Sequence, residues 1–264
     1  MRITRVHTPG QSLRVGDCTT LDQDSAHYLF TVLRLRPGSP VALFNAQDGE
    51  LLGELITADR KQVSVQLLEK RASSADPGLP IHLAVGLSRG ERMDFLIQKA
   101  TELGVTSVTP LFTEHCEVRL DNKRTEKRLA HWQKVAVSAT EQCGRCQVPD
   151  IHTPLPLSEW LQQQHQGLTL ILDHRAEHAP RKGEQQPSQI TLLSGPEGGL
   201  SADELSAAAD AGFTPTALGP RVLRTETAPL AALSVLQYLW GDFRENPVAG
   251  LTEQQISKSG SSRV

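Results

Sequence analysis

Two glycine-bearing loops hold the residue types from which a ligand site could be built. In the first, Gly195-Pro196-Glu197-Gly198-Gly199 follows the apolar run Ile190 to Ser194 and leads to Ser201, three positions before Glu204, the spacing of a capping box. Three glycines and a proline at a strand-to-helix turn permit backbone angles and close approaches that larger residues forbid, so a ligand can lie against bare main chain. A tight structural turn is the other reading of such a cluster. The spacing is neither the G-x-G-x-x-G fingerprint nor a Gly-Lys-Ser/Thr phosphate loop, which argues against nicotinamide or nucleoside triphosphate chemistry. The second loop runs Leu218-Gly219-Pro220-Arg221-Val222-Leu223-Arg224-Thr225-Glu226-Thr227-Ala228 into a final apolar segment. Thr225 or Thr227 could cap a helix there, and Glu226 would sit well in its dipole. Capping explains the threonines. It does not explain two such loops after neighbouring strands of an α/β sheet, the usual place for a ligand.

The elements that would carry these loops follow from periodicity. From Met1 to about Arg71 the apolar runs are short and alternating, at Val41 to Phe44, Leu51 to Ile56 and Val63 to Leu68, with Pro37, Gly38, Asp48 and Gly49 between them; this predicts a small β-rich domain. One helix interrupts it, Asp24 to Leu35, with Asp24 as N-cap. Ser73 to Gly78 reads as a linker. Strands then alternate with helices: strands at Ile81 to Val85, Ser107 to Leu111, Leu168 to Leu172, Ile190 to Ser194 and Phe213 to Leu218; helices at Glu91 to Leu103, Lys123 to about Gln142, Ala202 to Ala211 and about Thr227 to Trp240. That rhythm predicts an α/β domain with a mostly parallel sheet. The domains expected are 1–72 and 73–245, with a polar, Ser- and Gln-rich tail over 246–264.

Composition narrows the classes. The 264 residues are 38% hydrophobic and 22% charged, with no apolar run of membrane-spanning length. The segment Met1 to Val6 lacks the apolar core of a secretory signal, so a cytoplasmic protein with reduced cysteines is expected. A net charge of -3 provides no general basic field, and local patches must carry any case for a nucleic acid. Such patches exist at Arg34 and Arg36 and at Lys123, Arg124, Lys127, Arg128 and Lys134, although a solvated helix face has the same pattern. Cys143 and Cys146 form a lone C-x-x-C without a second pair; adding His115 and Cys116 does not complete a zinc site, and no metal is expected. His174 and His178 read as a surface loop, and Ser88-Arg89-Gly90 as a helix entry.

Taken in order, the motifs resemble one family. Besides the two glycine loops they comprise His27 with Val32-Leu33-Arg34 and Gly38, then Gln98-Lys99-Ala100-Thr101-Glu102-Leu103-Gly104-Val105 with Pro110, then Glu141-Gln142, Arg145 and Pro149. The chain is similar, over roughly Arg2 to Trp240, to the RsmE family in the SPOUT class of RNA methyltransferases, whose members methylate N3 of a uridine in 16S ribosomal RNA. The resemblance implies a PUA-like β-barrel followed by a trefoil-knotted α/β domain, a homodimer, and 16S rRNA within the small subunit as substrate. It further implies S-adenosylmethionine as cofactor, held largely by backbone from Leu172, Gly195, Pro196, Glu197, Gly198, Gly199, Leu218, Gly219, Val222, Leu223 and Arg224, with Thr227.

Methyl transfer from a sulfonium is an in-line displacement that demands alignment and exclusion of water. The N3 proton of uracil must also leave, so a base or a cation near the developing anion is needed. Arg224 is the leading candidate for orienting the uracil or stabilising its oxygens, and Glu226 for the base; as structural residues, Arg224 would instead pair with Glu197 or Glu226. The target base has to be splayed out of its stack. Arg2, Arg5, Arg34, Arg36, Lys123, Arg124 and Arg145 are the candidate RNA contacts, while Gln98, Lys99 and Glu102 have a structural reading, tying their helix to the sheet or to a partner. Two alternatives stand beside this function: a noncatalytic RNA-binding assembly factor, and a methyltransferase for another RNA.

Overall fold

The computed structural model describes residues 3–59, 62–71, 75–118, 121–181 and 186–243. Arg2, both linker serines Ser73 and Ser74, and the tail expected from 246 onward lie outside them. The N-terminal sheet has the order β1-β3-β4-β5-β2, built from β1 (Thr4–His7), β2 (Cys18–Thr20), β3 (Pro40–Asn45), β4 (Gly49–Ala58) and β5 (Val63–Lys70). Only β1 and β3 pair in parallel; the remaining neighbours are antiparallel. Alternation does the sorting: Val63, Val65 and Leu67 turn inward with Val41, Leu43, Leu51 and Leu55 to form one small core. The helix expected over Asp24 to Leu35 is shorter and begins earlier. Asp22, not Asp24, caps α1 (Gln23–His27), accepting from Ser25 N, and a π-helical turn over Tyr28–Val32 ends at Arg34 with φ 55°. That widened turn leaves Tyr28, Val32 and Leu33 exposed while Leu29 is buried.

The second sheet has the order β12-β10-β11-β6-β7-β8, with β9 also on β7, and every pairing is parallel. Its strands are β6 (Ile81–Gly86), β7 (Ser107–Phe112), β8 (Asp150–Ile151), β9 (Leu155–Pro156), β10 (Leu168–Leu172), β11 (Ile190–Ser194) and β12 (Thr214–Thr216). Because both faces are covered, β11 is buried along its whole length and reads as a continuous apolar run rather than an alternation. Ile81, Leu83, Val85, Leu170 and Leu192 face α2 (Glu91–Glu102), α3 (Asn122–Cys143) and α6 (Thr227–Trp240), whereas Ala84, Ile171 and Leu193 face α4 (Leu157–Leu161) and α5 (Ala202–Asp210). Ser201 and Glu204 form the reciprocal capping box at the start of α5, which fixes where the first glycine loop ends. After β12 at the sheet's edge the chain doubles back, so that α6 packs on β11 and α2.

Two arginines named above as RNA contacts face inward instead. Arg145 is 2% exposed, and its Nη1 donates to the carbonyls of Thr101 (2.9 Å) and Val105 (2.8 Å). Arg5 pairs with buried Glu50, stacks on Phe44, and donates to the carbonyls of Thr140, Glu141 and Arg145. A guanidinium enclosed in this way and bonded to carbonyls inside the fold is out of reach of phosphate, so both belong to the seam between the sheets. The expected linker also has a role: Asp76 accepts from the amides of Cys146 and Gln147. Cys146 is buried beside Arg5, and among the described residues no three His, Cys, Asp or Glu side chains gather as a metal site.

His82 on β6 is half-buried between Ser107 Oγ (2.6 Å) and Thr109 Oγ1 (3.2 Å) and stacks on Trp160. Burial, then the nearby His152 and His165, hold its pKa down to about 4 from 6.5. The unfolded chain therefore takes up this proton first. Stability present above pH 6.5 is expected to drain away as pH falls toward 4, by on the order of 2–3 kcal/mol; burial lowers His7 and His165 too, and they act with the same sign. Urea midpoints between pH 7 and 4 should fall less in His82→Gln than in the parent, and parallel curves would refute the assignment.

Candidate active site

The carboxyl ends of β10, β11 and β12 open into one cleft of about 640 Å³. Eleven of the residues named from sequence line it: Leu172, Gly195, Pro196, Glu197, Gly198, Gly199, Leu218, Val222, Leu223, Arg224 and Glu226. Gly219 and Thr227 do not reach its wall. This is where a parallel sheet places a ligand, because loops leaving adjacent strands diverge there and expose main chain. The first loop is held tightly from behind. A Cβ on Gly86, the last residue of β6, would collide with Pro196 N and Cδ, and one on Gly198 would stand 2.7 Å from His115 Cβ. These glycines serve the close packing of loop on loop.

Charges around the cleft are arranged differently from the expected pairing. Glu197 binds Arg92 Nη1 at 3.0 Å and accepts from Arg89 N at 3.3 Å, so it is tied to the start of α2 and not to Arg224. The Arg224 side chain is exposed in the cleft wall, and among the described residues it has no ion-pair or hydrogen-bond partner; its carbonyl accepts from Thr227 N and Ala228 N. Neither threonine caps α6. Glu226 occupies the N-cap position without a side-chain cap bond, and its Oε2 is buried without a partner. A buried, unpaired carboxylate oxygen is costly, and one in the wall of a cleft marks a place for a donor to arrive.

Asp173, His174 and Arg175, at the head of the segment from His174 to His178 that reads in sequence as a surface loop, all line the cleft. Burial alone would raise the Asp173 carboxyl, but hydrogen bonds from Arg175 and the charges of Arg175 and His174 outweigh it and hold the group below its ordinary value. The signal available in sequence was position: these residues directly follow a strand whose neighbours carry the glycine loops.

The cleft fits the sulfonium cofactor chemically. Gly195 to Gly199 and Leu218 would supply main-chain donors and acceptors for its polar edges, Leu172, Leu205, Val222 and Leu223 would supply apolar surface, and the Asp173 and Glu226 carboxylates would suit its cation. Gly86→Ala is expected to push Pro196 outward and weaken S-adenosylmethionine binding about 5- to 150-fold, the counterpart of an overpacking cost of about 1–3 kcal/mol. Titration calorimetry on the folded variant checks this, and a dissociation constant within twofold of the parent would show that the contact does not shape the cleft.

Comparison with known proteins agrees with this geometry. Residues 75–237 match the model of an RNA methyltransferase domain, and residues 21–68 that of an RNA methyltransferase PUA domain. A Legionella pneumophila structure solved with the bound cofactor SAM superposes with a TM-score of 0.87 at 38% identity, over 92% of this chain and all of that one. A Neisseria gonorrhoeae ribosomal RNA small subunit methyltransferase E bound to S-adenosyl methionine does so at 0.85 and 34%, with the same coverage. The ribosomal RNA small subunit methyltransferase E of Buchnera aphidicola from Schizaphis graminum is 32% identical over 91% of this chain and 98% of its own length. The parallel sheet, its doubled-back C-terminal segment and the cleft thus define an RNA methyltransferase of the SPOUT class, an enzyme preceded by a PUA-like domain. Within that class, the chain belongs to the ribosomal RNA small subunit methyltransferase E family.

Proposed function

We propose that this protein transfers a methyl group from S-adenosylmethionine to small-subunit ribosomal RNA, at N3 of a uridine as the motif resemblance implies. The observation that carries the reading is the convergence of both glycine loops on one cleft with Arg224 unpaired in its wall. The cofactor supplies an electrophilic methyl group. The chain's own tasks are to align the uracil, to exclude water, and to manage the N3 proton. Arg224 binds the uracil oxygens as negative charge develops on them, a position where a fixed cation acts with little reorganisation. Glu226 stands two residues away with a free carboxylate oxygen and receives the proton.

The division of labour follows the domains expected, 1–72 as RNA grip and 73–245 as the transferase, working in the cytoplasm. Arg34 and Arg36 are exposed beside Tyr28 and Val32, and Lys123 and Arg124 are exposed at the start of α3; cations interleaved with an aromatic suit unpaired RNA. A homodimer is supported by Phe95 of α2 and Tyr238 of α6, 46% and 55% exposed on helices that touch. The test is transfer of labelled methyl from S-adenosylmethionine to unmethylated small subunits, with mapping of the modified nucleotide. A noncatalytic assembly factor would neither bind the donor nor transfer label, and a substrate other than small-subunit RNA would carry the label elsewhere.

A further inference from the structure

A second cavity of about 630 Å³ lies across the first turn of α2 from the cofactor cleft. Arg92 of that turn lines the cleft, whereas Arg89, Gly90 and Met93 line the second cavity, whose far wall is α3 with Arg124, Lys127, Arg128, His131 and Trp132. Three independent features make it suited to an anion. First, α2 follows Gly90 with no side-chain cap bond to its first turn, where Arg92 N turns back to the Arg89 carbonyl at 3.4 Å. Second, Ser88 is 5% exposed and Trp132 2%, and neither Ser88 Oγ nor Trp132 Nε1 has a hydrogen-bond partner. Two buried donors without acceptors around one cavity are unfavourable until an acceptor arrives. Third, Lys127 and Arg128 are exposed and, among the described residues, form no ion pair. Most nearby carboxylates are engaged: Asp94 holds His131 at 2.7 Å, Asp121 caps α3 and lies 3.5 Å from Arg124, Glu117 pairs with Arg89 and Glu197 with Arg92, while Glu91 of the first turn is exposed and, among the described residues, forms no ion pair. Asp94 Oδ1 is buried and unpartnered, and one such acceptor does not reverse the balance of donors.

From this arrangement we infer that the cavity between the α2 N-terminus and α3 binds a backbone phosphate of the RNA substrate, next to the nucleotide whose base enters the cofactor cleft. The inference rests on the proposed methyl transfer to RNA. It accounts for Ser88-Arg89-Gly90, which as a sequence is only a helix entry, and for two of the α3 cations, Lys127 and Arg128, as binding groups. RNA is favoured over a free anion because the cations come from an open helix face, while only the floor is enclosed; a strand can pass along the first and set one phosphate into the second.

The test uses full-length protein saturated with S-adenosylmethionine and labelled at its three tryptophan indoles, the Trp132 resonance being assigned with Trp132→Phe. Adding an unmethylated small-subunit RNA fragment is expected to move the Trp132 N–H signal. The exposed double variant K127Q/R128Q should lose that shift, bind the fragment about 10-fold or more weakly at moderate salt, and show a shallower salt dependence, with cofactor affinity unchanged. No movement with RNA, or unchanged RNA affinity and salt slope in the double variant, overturns the inference. Equal movement with inorganic phosphate at matched concentration overturns the RNA source. If the parent moves its indole signal with RNA yet transfers no methyl group, the proposed reaction fails and the phosphate pocket stands.

Discussion

Alanine in place of Arg224 is expected to lower the methylation rate constant by roughly 10²–10³-fold while leaving the dissociation constant for S-adenosylmethionine within a few-fold, because in the proposed reaction the guanidinium acts on the base and not on the donor. The structure supports so large an effect through an asymmetry among the cleft arginines. Arg92 is spent on Glu197 and Arg175 on Asp173, whereas Arg221 and Arg224 keep their donors free, and of these two Arg224 adjoins α6. Its backbone is held by two hydrogen bonds from the first residues of α6, so the side chain leaves a fixed point. As the N3 proton departs, charge spreads onto the flanking uracil oxygens, which a planar fork of N–H donors matches better than an ammonium does. Arg224→Lys should therefore recover only part of the loss. Single-turnover kinetics separates this from weakened cofactor binding: a variant restored to full rate by saturating donor would place Arg224 in the donor site instead. Glu226→Gln supplies the companion measurement, since a proton acceptor gives a rate that rises with pH in the parent and a much lower, flatter one in the variant.

The largest effect on stability is expected at Arg145. Replacing it with alanine strips the Thr101 and Val105 carbonyls of their partner and removes the cation facing Asp76, inside a region where the side chain is 3% exposed. A loss of about 3–5 kcal/mol is expected, read from urea unfolding, and a change below about 1 kcal/mol would mean that water or a neighbour replaces the arginine. The same seam holds Arg5, whose donors bridge β1 to the last turn of α3. Burial raises the Glu141 carboxyl, against the backbone hydrogen bond from His7 and the charge of Arg5, which lower it. The two sheets are thus joined by buried polar bonds, which fix orientation because each donor accepts few geometries.

Much of this was legible in the amino-acid order. Strands β10 and β11 and helix α6 follow the expected limits, and the capping box at Ser201 marked the start of α5; these are local signals, set by side-chain period and by hydrogen bonds within one turn. The glycine loops were legible for the same reason, since the absence of a side chain is written at each position. What lay beyond reach depends on partners far along the chain. Arg5 and Arg145 look like phosphate contacts when charge is all that is known, because burial is decided by residues about 40 to 140 positions away. Asp173 and Arg175 joined the cleft only because β10 came to lie between β11 and β12. The unpartnered Ser88 and Trp132 donors line one cavity only because α3 packs against α2. Local sequence determined which elements form and where main chain is bare; the tertiary structure decided which charges remain free, because a charge is available only where folding has not already enclosed and paired it.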